Sequence, residues 1–145
     1  MILTISIKLD PGAYMPERAY ALDAGYDLRT PVPVTLPPAD EMGDGCRTIN
    51  TGVHVAIPAG YVGFLKSKSG LNVNNSVTSE GVIDAGYNGA IHVKLYNHGS
   101  QWKQFKPGDK ISQLVILPII TPELERVEEL PLTERGDNGF GSTGK

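Results

Sequence analysis

Short apolar stretches alternate with turns along this chain, which is the pattern of an all-β protein. Near the start, polar Thr4, Ser6 and Lys8 alternate with apolar neighbours, and this period of two predicts a half-buried strand. Further strand-like stretches lie at 26–29, 31–36, 50–57, 61–66, 90–96 and 111–119. Clusters of turn residues, rich in Gly and Pro, separate them at 37–38, 58–60, 97–99 and 106–109. Many short strands with such regular turns predict a sandwich, a jelly roll or a barrel.

The pattern predicts one short helix. Ser69 is a good N-cap residue, and the helix would run briefly through residues 70–73. Residues 38–45 are polar and are predicted to form a loop. The stretch around Trp102 is also loop-like, so we interpret this side chain as a peripheral packing residue.

Length, charge and cysteine content narrow the class of protein. A chain of 145 residues fits one domain, since domains commonly have about 100–200 residues. The net charge of −3 argues against a general nucleic-acid or anionic-membrane binder. No apolar run is long enough to span a bilayer. Cys46 is the one cysteine, and the first residues lack the features of an export signal. We therefore expect a cytoplasmic protein, in the host cytoplasm if the source is viral.

The segment 135–145 is glycine-rich and follows the last apolar stretch, where a core should already be complete. Its bare N–H groups, its hydroxyls and the guanidinium of Arg135 suit phosphate binding. The ring of Phe140 could stack on a base. An ordinary frayed terminus is the alternative, and the tail alone leaves both interpretations open.

Residues 82–89 (VIDAGYNG) predict a hairpin with Asp84 and Tyr87 near its tip. In a functional interpretation, Asp84 is a general base for a water molecule, and the ring of Tyr87 packs against a sugar. The structural alternative is strong, because Asp is a common turn residue and Tyr often packs across strands. Taken alone, this segment favours the structural alternative.

Residues 66–71 (KSKSGL) place lysines and hydroxyls at the predicted helix start, where an anion can bind. An exposed basic turn is the alternative, although Gly70 is unhelpful in a first helical turn. Two other segments have ordinary interpretations when taken alone. Asp27 and Arg29 could be a solvated ion pair. Gln113 interrupts an apolar strand and needs a partner, for which backbone is favoured over a ligand oxygen.

Taken together, five segments resemble in order and spacing the five sequence motifs of the trimeric dUTPases: AGYDLRT, KSGL, GVIDAGYNG, GDKISQLV and RGDNGFGSTG. The resemblance covers almost the whole chain, and its third and fifth motifs are the most specific. It implies an all-β, distorted jelly-roll β-barrel over residues 1–131, with one short helix, and a flexible glycine-rich lid segment over residues 132–145.

The resemblance also implies an activity. The protein would hydrolyse dUTP to dUMP and pyrophosphate, with Mg²⁺ on the triphosphate and no metal bound directly by the protein. This reaction limits uracil in DNA and supplies dUMP for dTMP synthesis. The partners would be dUTP and two further copies of the chain, because each active site of the homotrimer is shared among three subunits. No nucleic-acid or membrane partner is expected.

In the hairpin, the resemblance assigns a role to each of several residues. Asp84 would activate the water that attacks the α-phosphorus. Tyr87 would pack on the deoxyribose and leave no room for a 2′-hydroxyl. Backbone around Val82 and Ile83 would read the edge of uracil, and the backbone at His92 would face the base.

Phosphate contacts would come from the other motifs. Lys68, Ser69, Gly70 and Gln113 match residues that contact the phosphates. Asp27 matches a residue that holds a water molecule near Mg²⁺.

The tail would complete the site. Arg135 matches the γ-phosphate contact, and Phe140 matches the ring that stacks on uracil. Gly141, Ser142 and Thr143 would close over the phosphates.

This chain departs from the family pattern at four positions. Lys68 and Lys110 stand where Arg is frequent, and Lys cannot form a bidentate fork. This difference bears on the strength of the phosphate or inter-subunit contacts and not on the reaction. Gly86 and Ala90 stand where the third motif frequently has carboxylates. There we expect an effect on hairpin stability or on subunit contacts.

Three other functions are weighed against this one. A dCTP deaminase of the same fold needs a catalytic Glu in the third segment, and the nearest candidate, Glu80, lies on the wrong side of the turn. A nucleotide-dependent regulatory interaction module is the second. The third is a non-catalytic all-β binding domain, which leaves Arg135 and Phe140 unexplained.

Overall fold

The structure is a computed structural model that describes residues 4–39 and 45–139. Nine strands and one helix occur in these ranges. They are β1 (Ile7–Leu9), β2 (Gly25–Arg29), β3 (Val34–Leu36), β4 (Cys46–Val55), β5 (Tyr61–Lys66), α1 (Ser69–Asn75), β6 (Val77–Ile83), β7 (Ala90–Asn97), β8 (Lys103–Phe105) and β9 (Lys110–Pro118).

Seven of the strands form one antiparallel sheet in the order β1-β4-β7-β6-β5-β9-β2, and β3 pairs with β8 separately. The sheet curls around a single core. Strand β7 shows how the sequence builds it, because every second residue points inward: Ile91, Val93, Leu95 and Asn97 are buried and their neighbours are not. The predicted all-β class is confirmed, and the curled sheet is consistent with a jelly roll.

Two strands were not predicted from the pattern. Strand β6 carries Thr, Ser, Glu and Gly among few apolar residues, and β8 has only three residues, so neither gives a strong strand signal. Strand β4 begins at Cys46, earlier than the predicted start at 50, on residues that are mostly exposed. Trp102, which precedes β8, is 62% exposed.

Helix α1 confirms the short helix but begins one residue earlier than predicted. Lys68 is the N-cap residue, with extended backbone, and its carbonyl accepts from the N–H of Asn72. Ser69 is therefore the first helical residue and not the N-cap. The helix ends at Asn75, and its C-cap residue Ser76 has a left-handed conformation (φ 55°). In the part of the chain that the structure describes, this is the one helix, and its seven residues are far too few to cross a bilayer.

Beyond Pro118 the described chain, up to residue 139, contains no further strand or helix. This segment is almost entirely exposed, including its large apolar side chains Ile120, Leu124, Leu130 and Leu132. The division between barrel and lid at residues 131 and 132 stays a prediction.

Candidate active site

The hairpin predicted from residues 82–89 is formed by β6, a tight turn and β7. The N–H of Tyr87 donates to the carbonyl of Asp84 at 3.2 Å, which closes the turn. Gly86 has a φ of +86°, a conformation that favours glycine. Glycine at this departure from the family pattern is therefore suited to the local backbone. The turn leaves the side chain of Asp84 exposed at the tip.

Below the tip, the two strands of the hairpin separate. The described ladder between β6 and β7 ends at the pair Ser79 and Leu95. From there, residues 80–83 pair with β5, and residues 90–94 pair with β4. The facing backbone edges enclose a slot, hereafter the β6–β7 slot, whose N–H and C=O groups are available to a bound molecule. Ile83 points into the core and Val82 is 58% exposed, so only backbone of Ile83 can reach a ligand there.

Tyr87 and His92 meet at one carbonyl group on the edge of the slot. The hydroxyl of Tyr87 donates to the carbonyl of Ala90 at 3.1 Å, and Nδ1 of His92 lies 3.0 Å from the same oxygen. The Tyr87 ring also lies against Gly89, where a Cβ atom would clash with it. Glycine at 89 therefore allows the ring to lie along the hairpin backbone, with 45% of the side chain exposed.

A second group of predicted site residues surrounds the start of α1. Ser69 and Gly70 are exposed at the first turn. Nε2 of Gln113 donates to the carbonyl of Ser67 at 2.9 Å, so the favoured backbone partner is present. The other end of the Gln113 amide lies over Gly25, where a Cβ atom would clash with Oε1. Gln113 is thus held next to the predicted phosphate-binding loop.

Asp27 is the buried charge of this second group, with 3% of its surface exposed. Nζ of Lys68 contacts one carboxylate oxygen, and Nζ of Lys110 contacts the other at 2.6 Å. Burial raises the pKa of Asp27, but the hydrogen bonds from Lys110 and Lys68 outweigh it and hold the pKa below its ordinary value. The solvated Asp27–Arg29 pair is therefore wrong, because Asp27 is buried against the two lysines. Arg29 follows an irregularity in the register of β2 with β9 and donates to the carbonyl of Gly108 at 2.6 Å.

A network of buried serines, which the sequence analysis missed, supports the loop from below. Oγ of Ser79 lies 2.8 Å from Oγ of Ser112, which also reaches the carbonyl of Lys66 at 3.1 Å. Ser67 accepts from the N–H of Ser79 at 3.0 Å and donates to its carbonyl at 3.2 Å. This network joins β5, β6 and β9. Its only signal in the sequence is a small hydroxyl residue inside each of two strands.

Within one chain, the two groups lie far apart along β6. The loop before α1 is hydrogen-bonded to Ser79, whereas Asp84 lies five residues further along the strand, roughly 16 Å away at the usual rise of a strand. One copy of the chain thus does not bring Asp84 and the Gln113 group together.

The tail residues are only partly described. Arg135 is exposed, and its Nε donates to the carbonyl of Asn138 at 3.0 Å. Phe140, Gly141, Ser142 and Thr143 lie outside the described residues, so their predicted roles stay predictions. Across residues 4–39 and 45–139, no three His, Cys, Asp or Glu side chains lie close enough together to hold a metal ion.

Comparison with known proteins identifies the family. The family model described as dUTPase matches residues 12–144. This chain belongs to the dUTPase family. It is 42% identical over 138 residues to the deoxyuridine 5′-triphosphate nucleotidohydrolase of Oryza sativa subsp. japonica, covering 94% of this chain and 78% of that one.

Solved dUTPase structures share the fold. The dUTPase of Staphylococcus bacteriophage 80alpha, solved with dUPNHPP, is 36% identical to this chain, with a TM-score of 0.88 over 98% of this chain and 99% of that one. A variant of the dUTPase from phage phi11 of S. aureus is 35% identical, with a TM-score of 0.78 over 88% of this chain and 98% of that one. That structure concerns the coordination of a structural Mg(II) ion. The jelly-roll type predicted from the sequence is thereby confirmed.

Proposed function

We propose that this protein is a dUTP diphosphatase, which hydrolyses dUTP to dUMP and pyrophosphate. The observation that carries the proposal is the β6–β7 slot, with Asp84 and Tyr87 at its tip, in a chain of the dUTPase family. By removing dUTP, the reaction limits uracil in DNA and provides dUMP for dTMP synthesis. The substrate belongs to the DNA precursor pool, so we expect the protein to act in the cytoplasm, or in that of a host.

Backbone groups of the slot would read the base. Unpaired N–H and C=O groups on the facing edges of β6 and β7 can match the acceptors and donors of uracil, as a pairing base does. These edges include the backbone of Val82, Ile83 and His92. A close-fitting slot would exclude the methyl group of thymine, and cytosine would present mismatched donors and acceptors.

Tyr87 would select the sugar. Its ring is held in place by the bond from its hydroxyl to Ala90 and by its contact with Gly89. A ring fixed in this way can pack on a deoxyribose and leave no space for a 2′-hydroxyl. Ribonucleotides would then be rejected by steric conflict.

Asp84 would act as the general base. Its carboxylate takes a proton from a water molecule as the water oxygen attacks the α-phosphorus. The bond from the α-phosphorus to the bridging oxygen then breaks, and pyrophosphate leaves with the electron pair of that bond. Exposure of Asp84 at the tip supports this role, because a water molecule can reach it.

The group around α1 would bind the triphosphate. The hydroxyl of Ser69 and the N–H of Gly70 lie exposed at the first helical turn, and Gln113 lies beside them. Lys68 supplies positive charge, although its ammonium group is shared with Asp27. Lys110 adds a second positive charge on the same carboxylate.

Mg²⁺ fits this arrangement as an ion carried mainly by the phosphate oxygens. Each oxygen of Asp27 already accepts from a lysine, but a carboxylate oxygen keeps a further lone pair for a water molecule. Asp27 would therefore hold a water molecule near the ion without binding it directly. When bound, Mg²⁺ offsets the negative charge that develops on the phosphates.

We expect a homotrimer with shared active sites. Within one chain, the hairpin tip is separated along β6 from the predicted phosphate-binding residues around α1. A neighbouring subunit can supply the half of the site that one chain lacks. The exposed segment 119–139, which contains no strand or helix, also supports a trimer. Residues 119–135 can span about 55 Å, enough to reach across an adjacent subunit, and their exposed leucines need a partner surface. A cleft of ≈ 430 Å³ between the sheet edges could receive such a segment; apolar side chains such as Ile7, Tyr26 and Ile116 form most of its lining, beside Arg18 and Asp23.

The tail would then close the site as a lid. Arg135 would contact the γ-phosphate, Phe140 would stack on uracil, and residues Gly141, Ser142 and Thr143 would cover the phosphates. Closure of this kind excludes water from the phosphates during the reaction.

The deaminase alternative is disfavoured by the position of Glu80. Glu80 lies on β6, three residues before the strand ends, and not at the tip of the hairpin. Its carboxylate pairs with Nζ of Lys66 on β5 at 3.1 Å. The regulatory interaction module stays an untested alternative.

A pyrophosphate-release assay with dUTP, UTP, dTTP and dCTP tests the proposal, with ammonia release from dCTP measured in parallel. We expect rapid release of pyrophosphate from dUTP, little from the other three, and no ammonia. Ammonia from dCTP without pyrophosphate from dUTP would support the deaminase and overturn the proposal.

A further inference from the structure

His54 lies between two hydrogen-bond acceptors that belong to different parts of the fold. Its Nδ1 is 2.8 Å from the carbonyl oxygen of Asn88, in the hairpin turn. Its Nε2 is 3.1 Å from Oδ1 of Asp10, just after β1. A carbonyl oxygen and a carboxylate oxygen can only accept. Both ring nitrogens must therefore donate, which requires the imidazolium form.

An irregularity in β4 places His54 at this point. The register between β4 and β7 shifts between Asn50 and His54, so that His54 lies opposite Ala90. Gly52 within the shift has a φ of +67°, and its carbonyl accepts from the N–H of Asp10 at 2.8 Å. Bulges of this kind re-aim side chains next to functional sites. Here the bulge fixes both the histidine and its carboxylate partner.

Three elements surround the imidazole. On the β1 side, Lys8 is its partner in the ladder, and Asp10 contacts it directly. The hairpin presents the neutral carbonyl of Asn88, and β7 presents Ala90, which has no titratable side chain. The bonds to Asn88 and Asp10 raise the pKa of His54 above its ordinary value, and the charge of Lys8 opposes them. The side chain is 19% exposed beside a cleft of ≈ 210 Å³, so solvent protons reach it.

We propose that His54 is a positioning residue for the nucleotide site, where its imidazolium ties the carbonyl of Asn88 to Asp10. This inference rests on the proposed dUTP hydrolysis. Asn88 directly follows Tyr87, so the tie fixes the side of the hairpin turn that carries the sugar-selecting ring. Asp84, on the other side of the turn, is less affected. His54 thus acts on substrate fit and not on the chemical step.

The sign of the pH dependence follows from the two donors. Below the raised pKa of His54, both N–H groups are present and the tie is intact. Above it, one ring nitrogen becomes an acceptor that faces another acceptor, and the tie is lost. The KM for dUTP should therefore rise as the pH passes upward through this pKa, whereas kcat changes little.

Steady-state kinetics with dUTP and UTP between about pH 6 and pH 9 test the inference, because this range brackets an imidazole raised above its ordinary pKa. His54→Gln keeps one donor but no charge. We expect its KM for dUTP below the pKa to be about tenfold higher than that of the wild type, the factor that corresponds to ~1.4 kcal/mol. Its kcat should stay within about twofold, and its preference for dUTP over UTP should fall.

Asp10→Asn is the second variant. Removal of the negative charge lowers the pKa of His54, so the rise in KM should move to lower pH. At high pH, uracil loses its N3 proton, and this affects all variants equally. Comparison between the variants therefore separates it from the titration of His54. His98→Gln is the matched control, because His98 contacts Thr78 at 2.7 Å on the far part of β6.

The outcomes are distinct. No hydrolysis of dUTP by the wild type would overturn the proposed function itself. If the wild type is active but KM follows the same pH profile in His54→Gln, or Asp10→Asn causes no shift, the positioning role is overturned. If His54→Gln fails to fold, the Asp10→Asn shift decides.

Discussion

Lys110 donates from Nζ to Oδ2 of Asp27 at 2.6 Å, and this pair joins the start of β9 to the middle of β2. Lys68 holds the other oxygen of the same carboxylate. The two lysines at the predicted departures from the family pattern thus share one buried partner. Two single-point ammonium donors, one on each oxygen, surround a carboxylate that one arginine could hold with a bidentate fork.

Asp27→Asn should destabilise the protein by about 1–3 kcal/mol, since two lysines lose their shared charge partner while both can still turn toward water. Urea unfolding at fixed protein concentration measures this loss. Lys110→Arg is the control, because it keeps the charge pair. An equal loss in both variants would show that side-chain packing, and not the charge of Asp27, is responsible.

The pH dependence of stability has a defined sign. The pKa of Asp27 is lowered in the folded state, so its contribution is present above the unfolded value of about 3.9 and is lost as the pH falls through the lower folded value. Unfolding of the wild type should therefore become easier with acidification below about pH 4. The free energy of unfolding of Asp27→Asn should decline less over the same pH interval. Parallel curves for the two proteins would contradict this assignment.

Asp84→Asn should bind dUTP but lose turnover by a factor of about 10²–10⁴, because the shape of the hairpin is kept and the base is removed. Binding is measured by calorimetry and turnover by pyrophosphate release. Glu80→Gln is the matched acid control, and as an exposed pair with Lys66 it should cost at most about 1 kcal/mol of stability and little activity. Undiminished hydrolysis in Asp84→Asn would refute the mechanism.

Gly89→Ala should weaken the discrimination between dUTP and UTP, since the new Cβ clashes with the Tyr87 ring and must displace it. The ratio of kcat/KM for the two nucleotides measures the effect, which we expect to be about tenfold, as for a loss of ~1.4 kcal/mol. Tyr87→Phe keeps the ring and loses only the bond to Ala90, so its ratio should change less. A larger change in Tyr87→Phe than in Gly89→Ala would contradict the steric account.

Truncation after Glu134 should leave a folded trimer with a greatly reduced rate, because most of the predicted lid segment is removed and all the strands are kept. Sedimentation velocity measures the assembly, and pyrophosphate release measures the rate. Loss of the folded barrel on truncation would show that the tail is structural.

The sequence predicted the nearly continuous apolar stretch of β5, the alternating strand β7 and the hairpin turn around Gly86. It missed the body of β6, because Thr, Ser, Glu and Gly in that strand give little apolar signal. Pairing of Asp27 with Lys68 and Lys110 was also not predictable, because it joins three segments that only the folded sheet brings together. The same holds for His54, which reaches Asn88 through a shift of register that no local pattern encodes.

The most direct test of the shared site is a crystal structure with a non-hydrolysable dUTP analogue and Mg²⁺. We predict uracil in the β6–β7 slot of one subunit, its triphosphate on Ser69 and Gln113 of a neighbour, and a water molecule between Asp84 and the α-phosphorus. A nucleotide bound elsewhere, or an α-phosphorus beyond the reach of Asp84 through one water molecule, would contradict the account.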